Sequence, residues 1–310
     1  MVSPRVYDLR VAAGLHYFMQ TKQQIQQLLA EAGAFPNRRL GQHFLIDLNL
    51  MRLLIETAQI ESSDVVLEVG CGTGSLTEAL AQQAGKVIAV ELDRLLCTIA
   101  KNQLAKTENV EIINTDVLEK KRTLSSTVTR AIELARKEYT GRLLLVANLP
   151  YNVASPVILN LVTGPTAVDA VCVTVQRQVA ERMTAAPGSS EYGTLSILLA
   201  ATGDAKIIRV LKPAVFWPKP QVDSAMVRFV RQNEKVSRIQ DMKLFSRTVG
   251  LFMGHRRKML KACARLAYPK TGHVASWPAI FERCSIDPTQ RPQQLSAEDY
   301  IALDSAGRAD

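Results

Sequence analysis

The run Val65-Val66-Leu67-Glu68-Val69 breaks off into Gly70-Cys71-Gly72-Thr73-Gly74, and a helix-prone segment follows from Ser75. A short run rich in β-branched residues, ended by glycines and followed by a helix, reads as a strand of a parallel sheet covered on both faces. The pattern then recurs. Lys86–Glu91, Val110–Asn114, Leu143–Ala147 and Ala167–Val175 read as strands, with helices expected at 75–84, 93–105 and through Met183. Strands that alternate with helices in this way predict an α/β fold with a Rossmann-like sheet. Two later strand-like runs, 205–211 and 224–231, flank the proline-rich Lys212–Pro220 and suit an antiparallel ribbon at the sheet edge.

From Asp241 the pattern changes to short helices, near 240–253, 255–267, 275–284 and 296–305, with turn signals at Pro269, Gly272, Pro288 and Pro292. The chain therefore divides into an N-terminal extension (1–36), a Rossmann-like domain (37–235) and a small all-helical C-terminal domain (236–310). The extension, with a polar helix around Thr21–Glu31, and a Ser/Thr-rich, helix-prone insert at 121–140 read as attachments without an assigned function.

Glycine lets the loop backbone take positive φ and lets a ligand approach with no Cβ in the way. The helix that follows presents unpaired amides and the positive end of its dipole. A dinucleotide site would have Gly-x-Gly-x-x-Gly, whereas here the spacing is Gly70, Gly72, Gly74 with Ser75 next and the acid Glu68 before. That spacing suits a cofactor with a charged amino-acid tail better than one with a pyrophosphate. Glu91 ends the second strand, where a carboxylate can accept from both hydroxyls of a ribose. Asp116 follows the third strand, placed to accept from an adenine amino group. In open parallel sheets ligands sit beyond the carboxyl ends of the strands, so these groups share one crevice. S-adenosylmethionine combines a ribose, an adenine and an amino acid, and is the expected cofactor. A ligand-free tight turn would account for the glycines but not for the two carboxylates. Cys71 reads as a small residue in a tight loop.

Asn148-Leu149-Pro150-Tyr151 follows the fourth strand and opens onto the same crevice. The exocyclic amine of adenine is a poor nucleophile because its lone pair is delocalised into the ring. An amide oxygen from Asn148 and the Leu149 carbonyl can accept from that amine and favour a pyramidal nitrogen. Pro150 fixes the turn, and Tyr151 can stack on a base taken out of its helix. The expected chemistry is methyl transfer to a nucleobase, achieved by positioning and electrostatics. A β-turn with a surface tyrosine is the plainer account of this tetrapeptide taken alone.

Charge supports a polyanionic partner: 38 Lys+Arg against 29 Asp+Glu give a net charge of +9, which favours phosphates through counterion release. Arg257, Lys261 and Arg265 recur every four residues along an expected helix, with His255, Arg256 and Lys258 beside them. Arg38 and Arg39 precede the Gln42-His43-Phe44 loop. All of these cations are candidates for phosphate contact, against the plainer reading of a solvated face, and charge alone does not separate a nucleic acid from an anionic membrane. Gln176-Arg177-Gln178 and Glu181-Arg182 suit substrate contact and internal pairing equally. No apolar run approaches the ~20 residues needed to cross a bilayer. The first residues lack the order of charged, apolar and small residues that marks a secretory leader. Five scattered cysteines with no Cys-x-x-Cys pair and four unclustered histidines predict reduced thiols, no metal site and a cytoplasmic setting.

These residues resemble the small-subunit ribosomal RNA adenine dimethyltransferase family over roughly 38 to 303. The likeness runs through Gly41–Asp47, Glu68–Gly74, Glu91-Leu92-Asp93, Asp116 and Asn148–Tyr151. It continues through Tyr192–Ser196, Phe216–Ala225, Arg256-Arg257-Lys258, Ile286-Asp287-Pro288 and Arg291. The resemblance implies two methylations on each of two adjacent adenosines in the 3′-terminal hairpin of 16S ribosomal RNA, on a partly assembled small subunit. It implies cofactor contacts from His43, Leu45, Gly70, Glu91, Asp116 and Asn148; the family usually has Asn at the place of His43. Three rival readings remain: an enzyme acting on large-subunit RNA, an enzyme acting on DNA adenine, and an assembly factor working mainly by docking. With no heptad or apolar stripe to advertise an interface, a monomer is expected.

Overall fold

The structure, a computed structural model, describes residues 19–37, 40–120, 123–271 and 276–307. Two compact units are present. The first comprises the chain up to Asn160 together with Val168–Arg177 and Ile207–Arg228; the second comprises Leu161–Ala167, Gln178–Lys206 and the chain from Phe229 onward.

A seven-stranded sheet is built from β1 (Val65–Val69), β2 (Lys86–Glu91), β3 (Val110–Asn114), β4 (Leu143–Asn148), β5 (Ala170–Gln176), β6 (Gly203–Leu211) and β7 (Ser224–Arg231). Their spatial order is 3-2-1-4-5-7-6. β1 pairs in parallel with both β2 and β4, β2 with β3, and β4 with β5. Every residue of β1 is buried, as its valines and leucine require, and Glu68 is buried with them. Asp64 pins the start of this pair: its buried carboxylate accepts from the Arg142 backbone N–H at 2.8 Å and from Arg142 Nη2 at 2.6 Å. The strand order reverses between β1 and β4, so the loops leaving these two strands flank one crevice, where open α/β sheets bind ligands.

The helices of the first unit are α1 (Lys22–Glu31), α2 (Leu48–Ala58), α3 (Ser75–Ala81), α4 (Arg94–Gln103), α5 (Ser126–Glu138) and the start of α6 (Ala154–Thr163). The described parts of both expected attachments, 19–36 and 123–140, pack into this unit. The supposed insert at 121–140 contains α5, which buries Val128, Ala131, Ile132 and Ala135. It is the crossover from β3 to β4, because parallel strands need a long connection to return to the same end of the sheet. The N-terminal α1 buries Ile25 and Leu29 against Leu96 and Ile99 of α4. Its start is set by a capping box in which the Thr21 side chain accepts from Gln24 N–H and the Gln24 side chain accepts from Thr21 N–H.

The second unit holds most of α7 (Arg177–Met183), then α8 (Thr194–Thr202), α9 (Asn233–Val236), α10 (Met242–Met253), α11 (Leu260–Thr271), α12 (Trp277–Arg283) and α13 (Ala297–Ala306). Its core is aromatic: Phe252 packs on Trp277 and Tyr300, with ring centroids 5.0 and 6.3 Å away. Tyr192 and Tyr300 are buried, and their hydroxyls donate to the carbonyls of Leu295 and Pro292. This unit takes in 178–206 and the chain from 229, so the expected boundary at 236 falls inside it. The helix expected at 255–267 begins only at Leu260. The backbone N–H groups of Leu260 and Lys261 donate to the carbonyls of Gln290 and Pro288, which fixes the first turn there. Gly254–Lys258 is a turn instead. No helix among the described residues is long and apolar enough to cross a membrane.

Candidate active site

The crevice beyond β1, β2 and β4 encloses about 1160 Å³ of space open to solvent. The glycine loop forms its floor. Gly70, Gly72 and Gly74 have φ of +79°, +60° and +86°. At two of these positions the missing Cβ also matters for packing. A Cβ on Gly70 would lie 2.9 Å from Pro150 Cγ, and one on Gly72 would lie 2.9 Å from Phe44 Cε1. The loop after β1 and the loop after β4 are thus packed directly together. Gly74 is the exception among the expected cofactor glycines. It does not line the crevice but starts α3 in the left-handed conformation, close to Leu104 and Ala100.

Glu91 is 6% exposed and holds two backbone groups: Gly72 N–H donates to Oε2 and Asp93 N–H to Oε1, each at 2.9 Å. Two of its roughly four lone-pair positions therefore stay available. Burial pushes its pKa up, offset in part by these amides. Asp116 is exposed at the rim, where Oδ1 accepts from Leu118 N–H. Glu68 differs from expectation. Its carboxyl is buried, accepts from the Thr77 hydroxyl at 2.6 Å, and is pushed by desolvation up to about 8. Near neutral pH it is mainly protonated, so it braces the loop rather than presenting a negative charge.

Asn148 is held at both ends. The His43 carbonyl can only accept, so Asn148 Nδ2 must face it, at 2.7 Å. That orientation turns Oδ1 toward Thr174, whose hydroxyl donates to it. Thr174 is 1% exposed and lies directly beside Asn148 in the β4–β5 register. One lone pair of Oδ1 remains for a ligand. Leu149 and Pro150 continue the wall, and the Tyr151 hydroxyl shares a 2.6 Å hydrogen bond with Ser224 Oγ. The His43 ring lies 5.5 Å from that of Tyr151. Its Nδ1–H donates to the Pro218 carbonyl at 2.7 Å, leaving Nε2 as the acceptor in the neutral ring. Leu45 also lines the crevice, carried on the short strand Phe44–Leu45 paired with Phe216–Trp217.

The structure therefore gathers His43, Leu45, Glu68, Gly70, Gly72, Glu91, Asp116 and Asn148–Tyr151 around one cavity. The basic residues belong to the second unit. Arg256, Arg257 and Lys258 are exposed on the turn before α11, and Lys261 and Arg265 are exposed on α11 itself. Arg257 does not share a helix with the other two, which corrects the expected stripe. Arg38 and Arg39 lie outside the described residues. Two contributors were missed in the sequence, Thr174 and Gln20, and Ser224 was singled out only within the Phe216–Ala225 stretch, with no role of its own. Only pairing could have found Thr174, because nothing in the sequence gives the β4–β5 register.

A family model described as ribosomal RNA adenine dimethylase matches residues 35–303. The chain is 33% identical to the ribosomal RNA small subunit methyltransferase A of Latilactobacillus sakei, over 91% of this chain and 93% of that one. It is 35% identical to the protein of that name in Pediococcus pentosaceus, over 89% and 91%. Among solved structures, a dimethyladenosine transferase from Plasmodium falciparum has a similar fold, with a TM-score of 0.65 at 23% identity, covering 82% of this chain and 94% of that one. The 23S rRNA methyltransferase ErmE shares the fold at a TM-score of 0.57 and 21% identity, covering 85% and 98%.

Proposed function

The chain belongs to the ribosomal RNA adenine dimethylase family, and from that premise we propose that it dimethylates two adjacent adenosines in the 3′-terminal hairpin of 16S ribosomal RNA. The methyl donor in this reading is S-adenosylmethionine, whose sulfonium supplies an electrophilic methyl group. The residues present fit it. The paired loops form a cradle that a Cβ at Gly70 would obstruct, and Glu91 retains lone pairs for ribose hydroxyls. Asp116 stands at the rim for the adenine amine, and His43 and Leu45 complete the wall.

The observation that carries the proposal is the fixed orientation of Asn148. Because Nδ2 is committed to the His43 carbonyl, Oδ1 is presented as an acceptor at the end of β4. There it and the Leu149 carbonyl accept from the two N–H groups of the target amine in the first transfer, and one of the two accepts from the single N–H that remains in the second. Those bonds favour a pyramidal nitrogen whose lone pair is free to attack. A methylated amine carrying positive charge loses its proton readily, so no strong side-chain base is required. Tyr151, braced by Ser224, stacks on the unstacked base, a contribution of about 1–3 kcal/mol for such aromatic platforms. The reaction is then driven by position and preorganised dipoles.

In this reading the helical unit binds RNA through Arg256, Arg257, Lys258, Lys261 and Arg265, whose exposed cations suit phosphates. The substrate is an immature small subunit, the enzyme a monomer, and its setting the cytoplasm. The matched relatives are named for the small subunit, which disfavours the large-subunit and DNA readings. The test incubates the protein with S-adenosylmethionine and immature small subunits lacking the modification, then digests the RNA for nucleoside mass spectrometry. Dimethyladenosine should appear with the native chain and be absent with Asn148→Ala. If Asn148→Ala matures subunits without methylating them, docking is the principal function.

A further inference from the structure

The glycine loop is held by a side chain far outside the loops around the crevice. Gln20 precedes α1, and its amide grips Thr73 twice. Nε2 donates to the Thr73 carbonyl at 3.2 Å, and Oε1 accepts from the Thr73 hydroxyl at 2.6 Å. The carbonyl can only accept, so the amide orientation is fixed. A third bond runs from the Gln20 backbone N–H to Ser75 Oγ at 2.8 Å. Gln20 is 7% exposed and Thr73 1%, so water does not compete for these bonds.

Thr73 lies between Gly72 and Gly74, both of which hold positive φ. Immobilising Thr73 from both its hydroxyl and its carbonyl denies the loop the conformations that those glycines would otherwise allow. The same segment reaches the cavity directly. The capping box at Thr21 and Gln24 sets the helix phase, and Ile25 then lines the crevice while packing with Leu96 of α4. Thr73 and Ser75 line it as well.

We propose that Gln20 is a positioning residue for the cofactor, and that the helix it leads into contributes Ile25 to the wall of the S-adenosylmethionine site. The inference rests on the reading of this cavity as that site. A loop already in its binding conformation saves the ligand the cost of ordering it, so release of Thr73 should weaken cofactor binding without touching the methyl-accepting end.

The experiment uses the full chain. S-adenosylmethionine affinity is measured by titration calorimetry for the native protein, Gln20→Ala, and Gln23→Ala, an exposed position on the same helix. Steady-state methylation then gives KM separately for cofactor and RNA substrate, with melting temperature recorded alongside. Loss of the buried clamp should raise the cofactor Kd and KM about tenfold, with kcat at saturating cofactor and the RNA KM within about twofold. Gln23→Ala should match the native protein. An unchanged cofactor Kd in Gln20→Ala would overturn the proposal. So would a parallel rise of both KM values accompanied by a drop in melting temperature, which is what a purely structural role predicts. If Gln20→Ala does not fold, Thr73→Val and Thr73→Ser decide the matter: Val should weaken cofactor binding and Ser should restore it, and equal binding by both would sink the clamp. Native protein that binds no S-adenosylmethionine would overturn the reading of the cavity and this proposal with it. Native binding with an unaffected Gln20→Ala would overturn this proposal alone.

Discussion

The crevice of the first unit and the basic turn of the second use their polar groups in opposite ways. In the crevice they are committed: Asn148 is bonded at both ends of its amide, both Glu91 oxygens hold backbone N–H groups, and Tyr151 is tied to Ser224. On the turn, Arg256, Arg257 and Lys258 project into solvent and form no ion pair among the described residues. The difference reflects what each ligand asks for. A reacting amine must be placed to within a fraction of an ångström, which needs side chains with one available orientation. A phosphate needs positive charge and little else, which flexible exposed cations supply.

The largest effect should come from undoing the commitment at Asn148. Asn148→Ala removes the oriented acceptor and leaves the His43 carbonyl and Thr174 hydroxyl without their partner. The methylation rate should fall on the order of 10²–10³-fold, the usual loss for one preorganised polar group at a reacting centre. RNA affinity, measured by filter binding, should be unaltered. A fall in RNA affinity of similar size would erase the proposed division of labour. Next comes Gly70→Ala. It asks an L-residue to hold φ +79° and sets a Cβ 2.9 Å from the Pro150 ring. A cost of about 1–3 kcal/mol in stability is expected, together with loss of cofactor binding, since Pro150 must move. Thermal unfolding with and without S-adenosylmethionine separates the two.

Much of the first region was legible because its chemistry is local. Each strand–loop junction is a contiguous segment, so Gly70, Gly72, Glu91, Asp116 and Asn148 could be picked out one by one and then brought together by the rule for parallel sheets. What escaped was whatever depends on partners distant in sequence. Gln20 and Thr73 are 53 residues apart, and Asn148 and Thr174 are 26 apart. No periodicity reports such a bond. The same limit explains α5 and α1, whose apolar positions showed helices but not what those helices cover. The protonation of Glu68 was equally hidden, since a strand residue declares its type but not the depth at which its carboxyl ends. On the basic turn the error was different. A basic residue every fourth position mimics a helix face, yet Leu260 and Lys261 take their first-turn acceptors from Gln290 and Pro288, and the helix starts there.

Glu68 offers a gentler test of commitment by burial. Its folded pKa, about 8, lies above the ordinary carboxylate value of 4.5, so the folded chain binds a proton that the unfolded chain releases. The stabilisation linked to that proton is complete below about pH 4.5 and is lost as pH rises through about 8. Glu68→Gln keeps a neutral group beside Thr77 and removes the ionisation. Measured without cofactor, its melting temperature should stay close to that of the native protein near pH 4.5 and rise above it progressively toward pH 8, reaching a gap of roughly 3–8 °C at pH 9. A gap that is constant with pH would mean that the carboxyl ionises without penalty, and the crevice floor would then resemble the exposed turn more than its burial suggests.

The smallest effect per residue belongs to the basic turn, and its form matters more than its size. Arg256→Ala, Arg257→Ala and Lys258→Ala combined should weaken RNA binding by roughly tenfold at moderate salt. The slope of log K against log salt should flatten by about 0.7–0.9 for each phosphate that is no longer neutralised. The weakening should appear in the RNA KM, with cofactor affinity unaltered, because exposed cations steer and hold the substrate without shaping the reacting geometry. The same reasoning makes lysine an adequate replacement for both arginines here, whereas no substitution at Asn148 restores both a donor to the His43 carbonyl and an acceptor for the Thr174 hydroxyl in one planar group of that length. If the lysine variant failed as badly as the alanine variant, the turn would be reading its partner through fixed bidentate geometry. The two regions would then differ in burial but not in principle.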